Sequence, residues 1–262
     1  MQAGTKTATT PRSANPEAVL AELISTNFAV IDDFVSLECG TAIRQAIEHE
    51  FRSGNMHRGG VAPDQHQLEP VRVQLKPLVR GDMIGWYDGS ENGQFEALAA
   101  YIGRLEVYVR RIADLDAAAG RFGQIRRQER AMCAVYPGEG ARYTVHTDND
   151  CHNGDGEGCN GRRLTTILYL NPAWSNCHGG QLRIYTDETR ENSVDIAPVM
   201  GRVVLFWSDS RVPHEVQPCF DERYSVTMWF EDEFELHRAE HALLKSIAHV
   251  HAIIPGIEID SE

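Results

Sequence analysis

Apolar residues recur at helical spacing in the first half of the chain and in short continuous runs in the second. Ile43, Ile47 and Phe51 follow one another four residues apart behind Ser36, a capping residue, which predicts a helix through Phe51. Leu98, Ile102, Leu105, Val109 and Ile112 share one side of a longer helix from Phe95 to Leu115. Pro16-Glu17 opens a short helix through Ile24, with proline where no N–H donor is needed. Between these, NFAVIDDF (27–34) reads as a strand. The stretch 53–70 carries Gly, Pro and His and reads as a loop, and 71–87 reads as extended chain.

From Glu129 onward the texture changes. AMCAVY (131–136), RYTVH (142–146), LTTILYL (164–170), QLRIY (181–185), SVDIA (193–197), RVVLFW (202–207), HEVQP (214–218) and YSVTMWF (224–230) are β-rich runs. Gly, Asn, Asp and Pro clusters separate them, the signature of a barrel or sandwich rather than of βαβ units. The expected fold is mainly β with supporting α-helices, a double-stranded β-helix or jelly roll of cupin-like form. Its expected parts are a disordered tail (1–15), a supporting helical and strand region of the same domain (16–128), the catalytic core (129–232), and a C-terminal helix and tail (233–262).

Composition adds exclusions. At 262 residues the chain can hold one large domain or two small ones, and all-β barrels and sandwiches commonly use this length as a single domain. A net charge of −13 argues against nucleic acid or an anionic membrane as a general partner, since both demand a basic surface. The local exception is Arg162-Arg163. No run approaches the roughly 20 apolar residues that span a bilayer, and the N-terminal sequence lacks the apolar stretch of a signal peptide. A cytoplasmic location is expected, with the nucleus as its extension. The six cysteines (39, 133, 151, 159, 177, 219) are dispersed and read as reduced thiols, with a Cys151–Cys159 bond as the oxidised alternative. Cys151, His152, Cys159, Cys177 and His178 lack the paired spacing of structural zinc.

The chemistry concentrates around His146-Thr147-Asp148. Side chains at i and i+2 of a strand face the same way, so His146 and Asp148 can meet one ion. His214, in Val-Pro-His-Glu-Val after the strand RVVLFW, supplies a second imidazole. Two neutral imidazoles and one carboxylate make the facial triad of non-haem iron oxygenases, which leaves positions open for a bidentate 2-oxo acid and oxygen. A His-x-Asp alone is ordinarily a solvated turn. Arg223 changes the balance, standing nine residues after His214 and flanked by apolar strand residues. It can hold a distal carboxylate through paired charge-assisted bonds, as the C5 carboxylate of 2-oxoglutarate requires, with Tyr169 as a second donor.

YPGEGARYTVHTD, NGRRLTTILYLNPAW, GGQLRIY, FWSDSRVPHEVQP and RYSVTMW together resemble the cytosolic prolyl hydroxylases of oxygen sensing. That family comprises the animal hypoxia-inducible-factor prolyl hydroxylases with protist and bacterial relatives. LVRGDMIGWYDG (78–89) is similar to the family's segment before its long helix. The resemblance implies Fe(II) on His146, Asp148 and His214. It implies 2-oxoglutarate on Arg223 and Tyr169, with Tyr136 and Thr165 lining that pocket. Tyr143, Arg162 and Trp229 match positions near a target proline, and Arg80, Asp82 and Trp86 match a substrate-facing segment. O2 as cosubstrate, ascorbate as reductant and trans-4 hydroxylation belong to the same implication. So does a protein substrate carrying the proline, by analogy a ubiquitin-ligase adaptor or a transcription-factor degron, bound by a monomer. The loop NDCHNGDGEGCNGRR is longer than in the animal enzymes, and no Cys-rich zinc-binding segment precedes the fold, as in the shorter protist-type enzymes. Two other readings stand beside this one: the same chemistry on a non-prolyl target, and a non-catalytic jelly-roll module that binds peptides.

Overall fold

A computed structural model describes residues 5–7, 14–60, 79–91, 93–150, 159–187 and 189–237. Three helices of more than ten residues and thirteen strands are placed among them. They are β1 (Thr5–Thr7), α1 (Pro16–Thr26), β2 (Phe28–Ile31), α2 (Leu37–Arg52), β3 (His57–Arg58), β4 (Met83–Tyr87) and α3 (Glu96–Leu115). The barrel strands follow as β5 (Ile125–Arg127), β6 (Ala131–Tyr136), β7 (Ala141–His146), β8 (Arg162–Tyr169) and β9 (Leu182–Tyr185). Last come β10 (Ser193–Ile196), β11 (Val203–Trp207), β12 (His214–Cys219) and β13 (Arg223–Asp232).

Two sheets face each other in the expected jelly roll. The larger runs β2-β11-β8-β13-β6-β4-β3, with β5 also paired to β13, and the smaller runs β1-β10-β9-β12-β7. The strands β2 and β11 are buried at every position and β13 at all but one, whereas β9 alternates between buried and half-buried. That difference follows from cover. Helices pack on the outer face of the large sheet, so its strands are covered on both sides, while the small sheet has one face toward water. Trp207 of β11 donates its indole N–H to Leu23 O at 3.1 Å and so locks α1 onto the sheet. Leu98, Ile102, Leu105, Val109 and Ile112 of α3 are all buried, as their spacing predicts, and Ser36 Oγ caps α2 by accepting from Cys39 N.

Three short strands depart from expectation. Thr5–Thr7, within the stretch read as a disordered tail, pairs in parallel with β10; the rest of 1–13 lies outside the described residues. His57–Arg58 lies in the expected loop, and Ile125–Arg127 precedes the expected β region. Residues 233–237 are helical, and the remainder of the expected C-terminal helix lies outside the described residues, as do 61–78. Cys39, Cys133, Cys177 and Cys219 are free thiols. Cys159 is disulfide-bonded, which agrees with the oxidised alternative for this residue; Cys151 is outside the described residues. Among the described residues no helix is long and apolar enough to cross a membrane.

Candidate active site

The last residue of β7 and the first of β12 lie opposite each other in the small sheet: His146 is the register partner of His214. Asp148 follows two residues after His146. Its Oδ1 lies 3.7 Å from His146 Nε2 and 3.9 Å from His214 Nε2. Among the described residues these three form the sole cluster of His, Cys, Asp and Glu able to hold a metal ion, with donor atoms all within 4.8 Å of one another. Each imidazole is aimed by its own backbone: His146 Nδ1 meets Thr144 O at 2.8 Å and His214 Nδ1 meets Val212 O at 3.0 Å. With Nδ1–H given to a carbonyl, Nε2 carries the free lone pair that a metal needs. Burial and the neighbouring His214 hold the His146 imidazole well below its usual pKa, outweighing the pull of Asp148, so it stays neutral. Burial pushes Asp148 upward, but His214, His146, Arg162 and Thr165 outweigh it and keep the carboxylate ionised.

These groups open on a cavity of about 330 Å³. The strands contribute at alternate positions: Arg223, Ser225, Thr227 and Trp229 from β13, and Met132, Ala134 and Tyr136 from β6. Once Arg223 is singled out, that period of two would have found Ser225 and Thr227, which sequence reading missed. Arg223 is only 3% exposed. Its Nε donates to Gly180 O at 2.8 Å and its Nη1 to Ser225 Oγ at 3.2 Å. No carboxylate among the described residues pairs with it. The guanidinium carbon is 5.0 Å from the ring centres of both Tyr136 and Tyr169. Tyr169 Oη is buried without a hydrogen-bond partner among the described residues. Burial raises both phenols despite the opposing influence of Arg223, so both remain protonated donors.

A buried cation without a counter-charge and an orphaned hydroxyl are costly unless a ligand completes them. Together they fit a carboxylate. The two imidazoles and the carboxylate of Asp148, with room beside them, fit a divalent iron. The residues present therefore suit both groups.

The remaining expected positions divide. Trp229, Tyr143, Arg162, Arg80 and Trp86 line the cavity. Arg162 lies 3.9 Å above the Trp229 ring, Trp86 is 5.8 Å from it, and Tyr143 stacks on His146 at 3.7 Å. Three of the expected positions, Tyr169, Thr165 and Asp82, are buried and do not line the cavity. Thr165, expected to line the cosubstrate pocket, is fully buried and bonds instead to Asp148 Oδ2 at 2.7 Å and Ser208 Oγ at 2.8 Å. Asp82, expected to face substrate, is buried and gives both its oxygens to Arg80, at 2.7 and 2.9 Å. Extended backbone puts residues 80 and 82 on one side, so the nearer partner takes the charge.

A double-stranded β-helix with a His-x-Asp…His cluster and a buried basic clamp defines a non-haem iron oxygenase. The chain belongs to the 2OG-Fe(II) oxygenase superfamily, whose family signature matches residues 131–231. Prolyl hydroxylase EGLN3 from Mus musculus is 34% identical over 229 residues, covering 86% of this chain and 85% of that protein. Egl nine homolog 1 from Homo sapiens is 37% identical over 214 residues, 80% of this chain and 45% of its own. A prolyl hydroxylase from Trichoplax adhaerens, solved with a hypoxia-inducible-factor oxygen degradation domain peptide, superposes with a TM-score of 0.67 at 32% identity, covering 86% of this chain and 92% of that one. A Pseudomonas putida prolyl-4-hydroxylase gives 0.62 at 26% identity, with 82% and 98% covered. Membership makes the chain a 2-oxoglutarate-dependent dioxygenase and brings Fe(II) as its cofactor and 2-oxoglutarate and O2 as its cosubstrates.

Proposed function

We propose that this enzyme hydroxylates a prolyl residue, at C4 in trans, within a protein substrate. The observation that carries the proposal is the pairing, in one cavity, of the His146–Asp148–His214 cluster with an Arg223 that has no counter-ion among the described residues. Similarity to prolyl hydroxylases over most of the chain supports the choice of target.

Iron would be held by His146 Nε2, Asp148 Oδ1 and His214 Nε2. When bound, it supplies oxidative decarboxylation, in which 2-oxoglutarate and O2 give succinate and CO2 while one oxygen atom enters the substrate C–H bond. The protein places and shields the reactants. Arg223 binds the distal carboxylate through its free N–H edge, and Tyr169 and Tyr136 offer phenolic donors beside it. Trp229, Tyr143 and Trp86 give the cavity an aromatic wall that suits a pyrrolidine ring, and the Arg162 guanidinium suits a peptide carbonyl. No protein general base is needed.

Further parts of the proposal rest on family likeness alone: ascorbate as a supporting reductant, a role in oxygen sensing, a monomeric enzyme, and a cytoplasmic location extending to the nucleus. A ubiquitin-ligase adaptor peptide and a transcription-factor degron peptide are the substrates to offer. The test incubates purified protein with Fe(II), 2-oxoglutarate, ascorbate and each peptide, alongside His214→Ala. Succinate with a peptide heavier by one oxygen on proline, both lost in the variant, is the expected result. Oxygen on another residue would move the target; absence of turnover in folded, iron-loaded protein would favour a peptide-binding module.

A further inference from the structure

We propose that Ser208, Thr165 and Trp229 are positioning residues that fix Asp148 as a one-oxygen metal ligand, an inference that rests on the metal-site reading above. The two oxygens of Asp148 have different surroundings. Oδ1 faces the two imidazoles, 3.7 and 3.9 Å from their Nε2 atoms. Oδ2 turns away and accepts two hydrogen bonds, from Thr165 Oγ1 at 2.7 Å and from Trp229 Nε1 at 3.1 Å. Behind Thr165, Ser208 Oγ lies 2.8 Å from the threonine hydroxyl, and both residues are fully buried.

The direction of this chain follows from counting protons. A threonine hydroxyl has one, and the carboxylate, with none to give, takes it. Thr165 is then the acceptor toward Ser208, whose hydroxyl donates. An indole N–H is a donor only, so its bond to Oδ2 has a fixed sense as well. The relay Ser208→Thr165→Asp148 is thus polarised toward a negative charge, and each bond strengthens the next in a buried setting.

These donors come from different strands, Thr165 from β8 and Trp229 from β13, which are register partners in the large sheet. Held from both, the carboxylate cannot turn Oδ2 toward the imidazoles. Without them it could chelate through both oxygens and take up a position that the triad otherwise leaves open. Trp229 also carries Arg162 over its face, so the wall that meets the peptide and the carboxylate that meets the metal share one side chain.

The test is Co(II) binding to metal-stripped protein, read by titration and by the visible absorption of the bound ion. Thr165→Val keeps the shape and removes the hydroxyl; its affinity is expected to fall by about 10–100-fold, the usual effect of losing an outer-shell partner. Ser208→Ala is expected to have a smaller effect, and Trp229→Phe to change the absorption band along with the affinity. Thr165→Ser, which restores the hydroxyl, should return both toward wild type, and thermal midpoints of the metal-free forms separate misfolding from this effect. Unchanged affinity and spectrum across the variants would overturn the inference while leaving the metal site intact. A loss in Thr165→Val that Thr165→Ser does not repair would assign the role to packing and overturn it too. Wild-type protein that binds no cobalt would remove the metal-site reading itself.

Discussion

Arg223 stands with its guanidinium carbon 5.0 Å from the ring centre of Tyr169, and the phenol oxygen of Tyr169 is buried with no hydrogen-bond partner among the described residues. Ser225, two residues along β13, is the register partner of Tyr169, so strand pairing sets this relationship. An arrangement built for a ligand costs stability without it. Tyr169→Phe is therefore expected to raise the thermal midpoint of the cosubstrate-free protein, because an unsatisfied buried hydroxyl costs about 1–3 kcal/mol. The same change should raise the KM for 2-oxoglutarate. Arg223→Lys keeps a charge but loses the fork, and its KM should rise about 10–100-fold, matching the loss of a charged hydrogen bond. Calorimetry and succinate formation against 2-oxoglutarate concentration check both; a Tyr169→Phe protein less stable than wild type would contradict the account.

Gly180 acts on the same arginine from behind. Its carbonyl accepts Arg223 Nε–H at 2.8 Å, and its φ of +73° lies in the left-handed region. A Cβ there would come within 2.9 Å of Arg223 Cδ and of Cys219 Sγ, both inside van der Waals contact. Gly180→Ala must shift the arginine, so KM for 2-oxoglutarate should rise while Co(II) affinity stays at the wild-type value. Equal losses in metal and cosubstrate binding would mean general disruption instead.

Much of this architecture is legible in the sequence, and the failures have identifiable causes. The runs AMCAVY and RVVLFW announce β6 and β11 because both faces of those strands are covered, so apolar residues are continuous. Ile125–Arg127 and His57–Arg58 give no such signal: they are short, mostly half-buried in the first and exposed in the second, and join the sheet through backbone bonds that any side chain permits. His146, Asp148 and His214 are readable because strand parity and spacing act locally. For Thr165, parity gives only the face. It shares one with Tyr169 on β8, but how far along the strand a ligand reaches depends on Asp148, which folds over Thr165 from another part of the chain.

Behind the clamp, Cys219 is fully buried, and burial pushes its thiol up to about 11 against the opposing influence of Arg223. An unfolded thiol ionises near about 8.5. Above that pH the unfolded chain gives up a proton that the native state keeps, so this group's contribution is intact below about 8.5 and declines toward 11. The thermal midpoint should fall across that window, and Cys219→Ala should flatten the fall while lowering the midpoint at neutral pH. In folded protein at pH 8, alkylating reagent should modify exposed Cys177 and spare Cys219. Rapid alkylation of Cys219 in native protein would show that this part of the barrel opens readily.

The Arg80–Asp82 pair should govern the protein substrate and leave the cosubstrate alone. Burial lowers the pKa of Arg80, but the hydrogen bonds and charge of Asp82 outweigh it and hold the guanidinium firmly protonated. So fixed, Arg80 lies 4.7 Å over the ring of Tyr143 and reaches Gly60 O at 3.0 Å. Gly81 N–H donates to Arg142 O at 2.9 Å, which ties the segment to the edge of β7. The pair thus holds one cavity wall against the ring that stacks on His146. Asp82→Asn preserves the shape and removes the charge; a loss of about 1–3 kcal/mol in that wall follows from weakening a charged hydrogen bond. KM for the peptide should rise while peptide-free decarboxylation of 2-oxoglutarate keeps its rate. Because the two residues act as a unit, Arg80→Ala with Asp82→Ala should be no worse than Arg80→Ala alone. Additive losses in the double variant would show that Asp82 touches the substrate on its own account.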